Sequence, residues 1–172
     1  IIVSAGWGST TATASISDSA GNTYLTAVGP ITNVVRGQIW YAQNVRSGPN
    51  TVTVSYSGNV GNNLEIHEYA GLATSNSLDV TSSLTGSGTS PSSGSAAISQ
   101  ASELLFGFSN VSGNVSWTAG PSYTLRQTTV RGASEDRVVS STGSYSASFT
   151  TSVSRSWVAL LAAFRAPAGG PA

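Results

Sequence analysis

Apolar residues alternate with serine, threonine or asparagine in short runs along the whole chain, and Gly, Asn, Ser or Pro separates the runs. No sustained i, i+3, i+4 apolar stripe interrupts this pattern, so the chain reads as all-β. Strand-like runs fall at 1–7, 10–17, 22–28, 37–45, 51–57, 63–70, 95–99, 102–108, 122–130, 136–140, 143–150 and 155–164. About a dozen strands are too many for one open sheet, so the expectation is two packed antiparallel sheets, a jelly-roll-like β-sandwich. The segment DSAGN, 18–22, suits a hairpin loop joining its flanking runs, and the low-complexity stretch 81–95 reads as a long surface loop.

The period of two assigns faces. In GQIWYAQNV, 37–45, one face carries Ile39, Tyr41, Gln43 and Val45, and the other carries Gln38, Trp40, Ala42 and Asn44. The first is the better core face, which puts Trp40 outside. The alternative packs Trp40 under a crossing loop or a neighbouring strand. Val52, Val54 and Tyr56 alternate with polar residues in the next run, and Leu64 and Ile66 alternate with Glu65, His67 and Tyr69 in the one after. If the three runs form a meander, their outward faces share one surface of Trp40, Gln38, Asn44, Tyr69, His67 and Glu65. The last run, WVALLAAF, is apolar on both faces, as expected of a central strand covered on both sides, with Trp157 in the core.

Composition narrows the chemistry. Of 172 residues only 8% are charged, with seven arginines, no lysine, seven acids and a formal net charge of zero. That leaves no clustered basic surface for nucleic acid. No run approaches the ~20 apolar residues of a membrane span, and no charged-then-apolar leader precedes the first run. The absence of cysteine removes disulfides, thiolate metal sites and a cysteine nucleophile. Surface-type positions rich in Ser, Thr, Gly and Asn suit a secreted bacterial β-domain. Residues 1–165 are expected to form the domain, and the Pro/Gly run 166–172 a linker or tail of a module cut from a longer polypeptide.

An aromatic platform among amides and hydroxyls suits sugar binding. A β-linked pyranose can lay its axial C–H bonds on an indole face while Gln or Asn meets its equatorial hydroxyls. Burying on the order of 100 Å² per stacked sugar contributes at most ~2.5 kcal/mol, so a few such contacts give a Kd of about 10 μM to 1 mM. Besides Trp40, the candidates are Trp117 with Tyr123, in a Gly/Ser/Asn/Pro-rich segment, and Trp7, for which platform and core-edge readings stand level. Trp117 is the tryptophan expected to be most exposed. Tyr24, Tyr56 and Tyr145 alternate with core-type residues and are expected inside.

Catalysis is poorly supplied. His67 is the only histidine, which argues against a histidine metal site and leaves one strand residue for any Ser-His-Asp arrangement. A glycosidase needs two facing carboxyls, and Glu65 and Glu68 alternate to opposite faces. Glu135 and Asp136 lie beside Arg137, suggesting an ion pair. They, and Asp18 with Asn22, are also candidate oxygen ligands for a structural calcium, although no calcium-loop signature is present. No cofactor is otherwise required.

The segments ISDSAGNTYLTAVGP, IWYAQNV, LEIHEYAGL with NSLDVTSS, ELLFGF, SEDRVVSSTGSYSASF and WVALLAAF together resemble the jelly-roll-like modules of multidomain secreted bacterial proteins. The chain is also similar to β-glucan-binding carbohydrate-binding modules. The resemblance covers nearly the whole chain in order and carries no residue-level binding motif. It implies a two-sheet sandwich, sugar binding without catalysis, and a bound calcium as an option. The expected function is therefore noncatalytic binding of β-1,4 or mixed-linkage β-glucan by a monomer, which targets a catalytic domain in cis to plant cell-wall material. The alternatives are a structural or adhesive repeat of a cell-surface protein and, more distantly, a small glycoside hydrolase.

Overall fold

The structure, a computed structural model, describes residues 1–167. The expected linker from residue 168 onward lies outside the described residues. Among the described residues fifteen strands form, every pairing between them antiparallel, in five sheets rather than two.

The four-stranded sheet runs in the order β3 (Leu25–Thr32), β4 (Arg36–Tyr41), β1 (Ile2–Trp7), β6 (Asn62–His67). A five-stranded sheet runs in the order β11 (Thr124–Thr128), β12 (Gly132–Val139), β9 (Glu103–Val111), β15 (Arg155–Arg165), β7 (Leu78–Gly88). Alternation in β9 and β15 sends Leu104, Phe106, Phe108, Val158, Leu160 and Phe164 into one cluster with Ile2, Ile39 and Tyr41 of the other sheet. Leu105, Leu161 and Ala163 point the opposite way. They are covered by two ribbons, β8 (Ala96–Ile98) with β13 (Gly143–Tyr145), and β10 (Trp117–Ala119) with β14 (Phe149–Thr151). The doubly apolar run 155–164 is thus a central strand covered on both faces, with Trp157 buried.

The third ribbon pairs β2 (Ala14–Asp18) with β5 (Val52–Tyr56) and decides the fate of Trp40. Its apolar positions Ala14, Ile16, Val52, Val54 and Tyr56 lie against Val3, Ala5, Trp7 and Trp40 on the outer face of the four-stranded sheet. Trp40 does lie on the face opposite Tyr41, but that face is covered and Trp40 is only 4% exposed. The expected meander does not form, because β4 pairs with β1 and β3, and β5 leaves for the ribbon. The hairpin expected around 18–22 is absent for the same reason, since β2 pairs with β5 and β3 with β4.

Strand β6 reverses its expected faces. In register across β1, Ser4 lies opposite Ile39 and Glu65, Ile2 opposite Tyr41 and His67, and Val3 opposite Trp40 and Ile66. Glu65 and His67 therefore share the inter-sheet face, while Leu64 joins the cluster under the ribbon and Ile66 is exposed. The Ser/Thr/Gly stretch from 81, expected as loop, is largely the edge strand β7, paired with β15 alone.

Candidate functional site

The inward face of β6 forms a polar seam with β12. The His67 Nε2 and Ser134 Oγ atoms lie 3.0 Å apart, and just past the strand end Tyr69 donates its hydroxyl to Asp136 Oδ2 at 2.7 Å. Arg126 completes an ion pair with Asp136 at 2.8 Å, where Arg137 was expected. Arg137 instead lies 5.5 Å above the Tyr145 ring. Burial and the Asp136 carboxylate hold the Tyr69 hydroxyl protonated far above the usual tyrosine range. Glu65 is fully buried and neither carboxylate oxygen has a hydrogen-bond partner, a condition shared by its cross-strand neighbour Ser4 Oγ and by Asn63 Nδ2. Glu65 comes within 3.9 Å of His67, but at Nε2, the nitrogen that already faces Ser134. A nucleophile relay needs the acid on the other ring nitrogen, and Ser134 is fully buried. This Ser-His-Glu grouping joins two sheets and does not present a serine to a substrate.

The tryptophans serve packing. Trp7 is 1% exposed, donates Nε1 to the Ala12 carbonyl at 3.0 Å and meets the Tyr56 ring at 5.6 Å, the core-edge reading. Trp117, expected outside, is half-buried because its Nε1 bonds the Thr129 carbonyl at 3.0 Å and its ring stands edge-on to Phe149 at 5.7 Å. Tyr123 is half-buried in the outer cluster of the five-stranded sheet, on a different surface from Tyr69. Gln38, expected in solvent, is buried with its Nε2 donating to Thr26 Oγ1 at 3.2 Å. The surface assembled in sequence from Trp40, Gln38, Asn44, Tyr69, His67 and Glu65 therefore does not exist as one face.

Two of those residues do meet, at the end of the molecule where β4 and β6 finish. Tyr69 and Asn44 line a cleft of about 180 Å³ together with Tyr41, Gln43, Leu72 and Thr74. Asn44 is exposed, in the left-handed region at φ 51°, because β4 ends at Tyr41 and the chain turns there. A second cleft, lined by Asn22, Arg46, Gln43 and Asn44, adjoins the first through Thr74. The walls are pinned from both sides. Gln43 Oε1 accepts from the Ser77 amide at 3.1 Å and its hydroxyl at 3.0 Å, which turns the Gln43 NH₂ group away from Ser77.

On the other side Asp18 ties two loops together. It accepts from the Asn22 amide at 2.9 Å, Asn22 Nδ2 at 2.7 Å, Asn50 Nδ2 at 2.7 Å and the Tyr24 hydroxyl at 3.0 Å. Burial pushes this carboxyl upward, but the donors outweigh it and hold Asp18 well below the usual carboxylate range. Asn22 Oδ1 in turn accepts the Arg46 amide at 2.9 Å. The oxygens proposed for calcium here are thus occupied by donors, and Asp18 positions the loops of the cleft. Glu135 and Asp136 do not converge either. Asp136 faces Tyr69, whereas Glu135 points to the opposite side of β12 and accepts the Gly120 and Ser148 amides at 2.8 and 3.0 Å. Burial pushes the Glu135 carboxyl up to about 7 against those two donors, with Asp136 adding to the rise.

Tyr41 is in the core, as expected, and borders the cleft from there, whereas Gln43, expected on the same core face, leaves it because β4 ends at Tyr41, a boundary the alternation does not mark. The pairing of Gln43 with Ser77 and of Asp18 with Asn50 joins loops far apart in the chain and leaves no local signal. Comparison with protein-family models, with curated proteins and with solved structures finds no match for this chain.

Proposed function

We propose that the protein is a noncatalytic polysaccharide-binding module that takes a β-glucan chain at the loop-end cleft, and that the two larger sheets are the halves of a jelly-roll-like sandwich carrying that cleft. The observation that supports this reading is the pinned trough in which the amides of Gln43 and Asn44 stand beside Tyr41 and Tyr69. Amides supply paired donors and acceptors for sugar hydroxyls, and tyrosine supplies an apolar ring with a polar edge. At about 180 Å³ the first cleft is below the ~300–1,000 Å³ of drug-sized sites, so it suits one ring at a time, with the adjoining cleft taking the next. Pinned walls lower the ordering cost of binding. One stacked ring at ~2.5 kcal/mol plus amide hydrogen bonds keeps the expected Kd at about 10 μM to 1 mM. Such a module raises the local concentration of a tethered catalytic domain on cell-wall glucan, in the secreted bacterial setting that the composition suits.

A structural or adhesive repeat is the second reading, favoured by the packing of all four tryptophans. Glucan-retarded native electrophoresis and calorimetry with cello-oligosaccharides separate the two. Retardation that Asn44→Ala weakens supports the binding module; no retardation and no heat with any glucan leaves the repeat; release of reducing ends points to a hydrolase.

A further inference from the structure

The end of the molecule opposite the loop cleft carries a second, chemically different site. Strand β1 finishes there at Trp7 and β9 at Val111, while β4, β12 and β15 begin there. A cleft of about 420 Å³ opens between the two larger sheets, lined by Asn62, Asn63, Asn110, Thr129, Arg131 and Val130. Its floor is built at close quarters: a Cβ on Gly6 would strike the Asn110 and Asn63 amides, and one on Gly132 would strike Asn63 Nδ2. Asn63 is 9% exposed and its Nδ2 lacks a hydrogen-bond partner. Asn63 Nδ2 lies beneath Gly132, out of reach of a ligand, whereas Asn62 is exposed at the cleft, its Nδ2 donating to the Val60 carbonyl at 3.3 Å.

Charge is distributed unevenly between the ends. Arg36, Arg131 and Arg155 stand at the starts of β4, β12 and β15, and the Nε atoms of Arg36 and Arg155 are buried without a partner. None of the seven carboxyls, all among the described residues, shares this end. The nearest along their strands are the buried Glu65 and Glu135, and neither lines the cleft. Arg131 is exposed at the rim, where its Nε donates to Asn114 Oδ1 at 3.5 Å. A guanidinium unopposed by any carboxylate among the described residues, sharing its cleft with the exposed Asn62 and with Val35 and Val130, matches a ligand with one negative charge, hydroxyls and an apolar ring face.

We propose that this cleft binds the carboxylated sugar of an acidic polysaccharide, with Arg131 on the carboxylate and Asn62 on a ring hydroxyl. It is a separate site from the loop-end cleft and does not depend on it. The test is electrophoretic retardation and calorimetry of the full chain with polygalacturonate, at low salt and at about 1 M salt, where the screening length falls to about 3 Å. Polygalacturonate should bind at low salt and be released at high salt. Arg131→Ala should weaken it about tenfold or more, the loss expected of a charge-assisted contact, while Asn44→Ala leaves it unchanged. No binding, or binding that Arg131→Ala does not alter, overturns the proposal. Binding of dextran sulfate without polygalacturonate overturns the carboxylate assignment. Failure of neutral glucan in the same samples would count against the loop-end site alone.

Discussion

Strands β4 and β6 flank β1 in the same sheet, yet they solve opposite problems. Strand β4 is buried on both faces, with Ile39 and Tyr41 toward the five-stranded sheet and Trp40 under the ribbon. Strand β6, at the sheet edge, turns Glu65 and His67 inward and leaves Ile66 exposed. What differs is the neighbour. Opposite β4 stand Phe108, Val158 and Leu160, whereas His67 at the end of β6 meets Ser134 and Phe106, and Tyr69 just beyond it meets Asp136. His67 and Tyr69 find polar partners in Ser134 and Asp136 on the strand across the gap, whereas the oxygens of Glu65 find none. "Apolar side in" is therefore a rule about pairs of elements, not about one strand.

The largest effect belongs to β4. Trp40→Ala should cost about 3–5 kcal/mol of stability, as for other buried tryptophans, read from urea denaturation. A loss under about 1 kcal/mol would mean that the ribbon does not cover this face.

Next come the buried carboxyls, which sharpen the contrast between satisfied and unsatisfied burial. Glu135 is raised from 4.5 to about 7, so between those values the native chain holds a proton that the unfolded chain has lost. Stability should then fall as pH rises through that window, by at most about 3 kcal/mol from this group, and level off above it. Glu103, pushed up to about 7 by burial and by Asp79, acts in the same direction. The depressed Asp18 acts oppositely, its contribution being lost only as pH falls below its ordinary 3.8. Melting temperature measured across this range should therefore be higher near pH 5 than near pH 8, and Glu135→Gln should flatten the slope.

Glu65, with no hydrogen-bond partner for either oxygen and His67 no closer than 3.9 Å, is predicted to be a net burden on the seam. Glu65→Leu should stabilise by about 1–3 kcal/mol, the desolvation cost of an unsatisfied buried group. Destabilisation would show that its oxygens are satisfied in solution. The smallest change, Tyr69→Phe, removes the donor to Asp136 and should cost about 1–2 kcal/mol, with Arg126 still pairing that carboxylate.

Alternation made much of this legible. It marked the class, the two-faced burial of β15 and the core placement of Ile39 and Tyr41 in β4, because those follow from local spacing. It could not say which face of β6 goes inward, since Leu64 and Ile66 are as apolar as any core pair and only the nonlocal Ser134 and Asp136 reverse them. The counterpart signal lay in GASEDRVV, 132–139, whose Ser134 and Asp136 fall on one face. Trp40 was assigned to the correct side of its strand and the wrong environment, because a ribbon made from residues 14–18 and 52–56 covers it. Asn44 alone of the expected amides reached an open cleft, and it did so through a turn and not through strand periodicity.

The proposed glucan site lies at the loop end and not on the face of Trp40, and side-chain NMR during titration with cellohexaose distinguishes the two. The side-chain amide signals of Gln43 and Asn44 should shift with a common Kd while the indole N–H signals of Trp7 and Trp40 stay in place. Shifts of the Trp40 indole with Gln43 and Asn44 unmoved would contradict that placement.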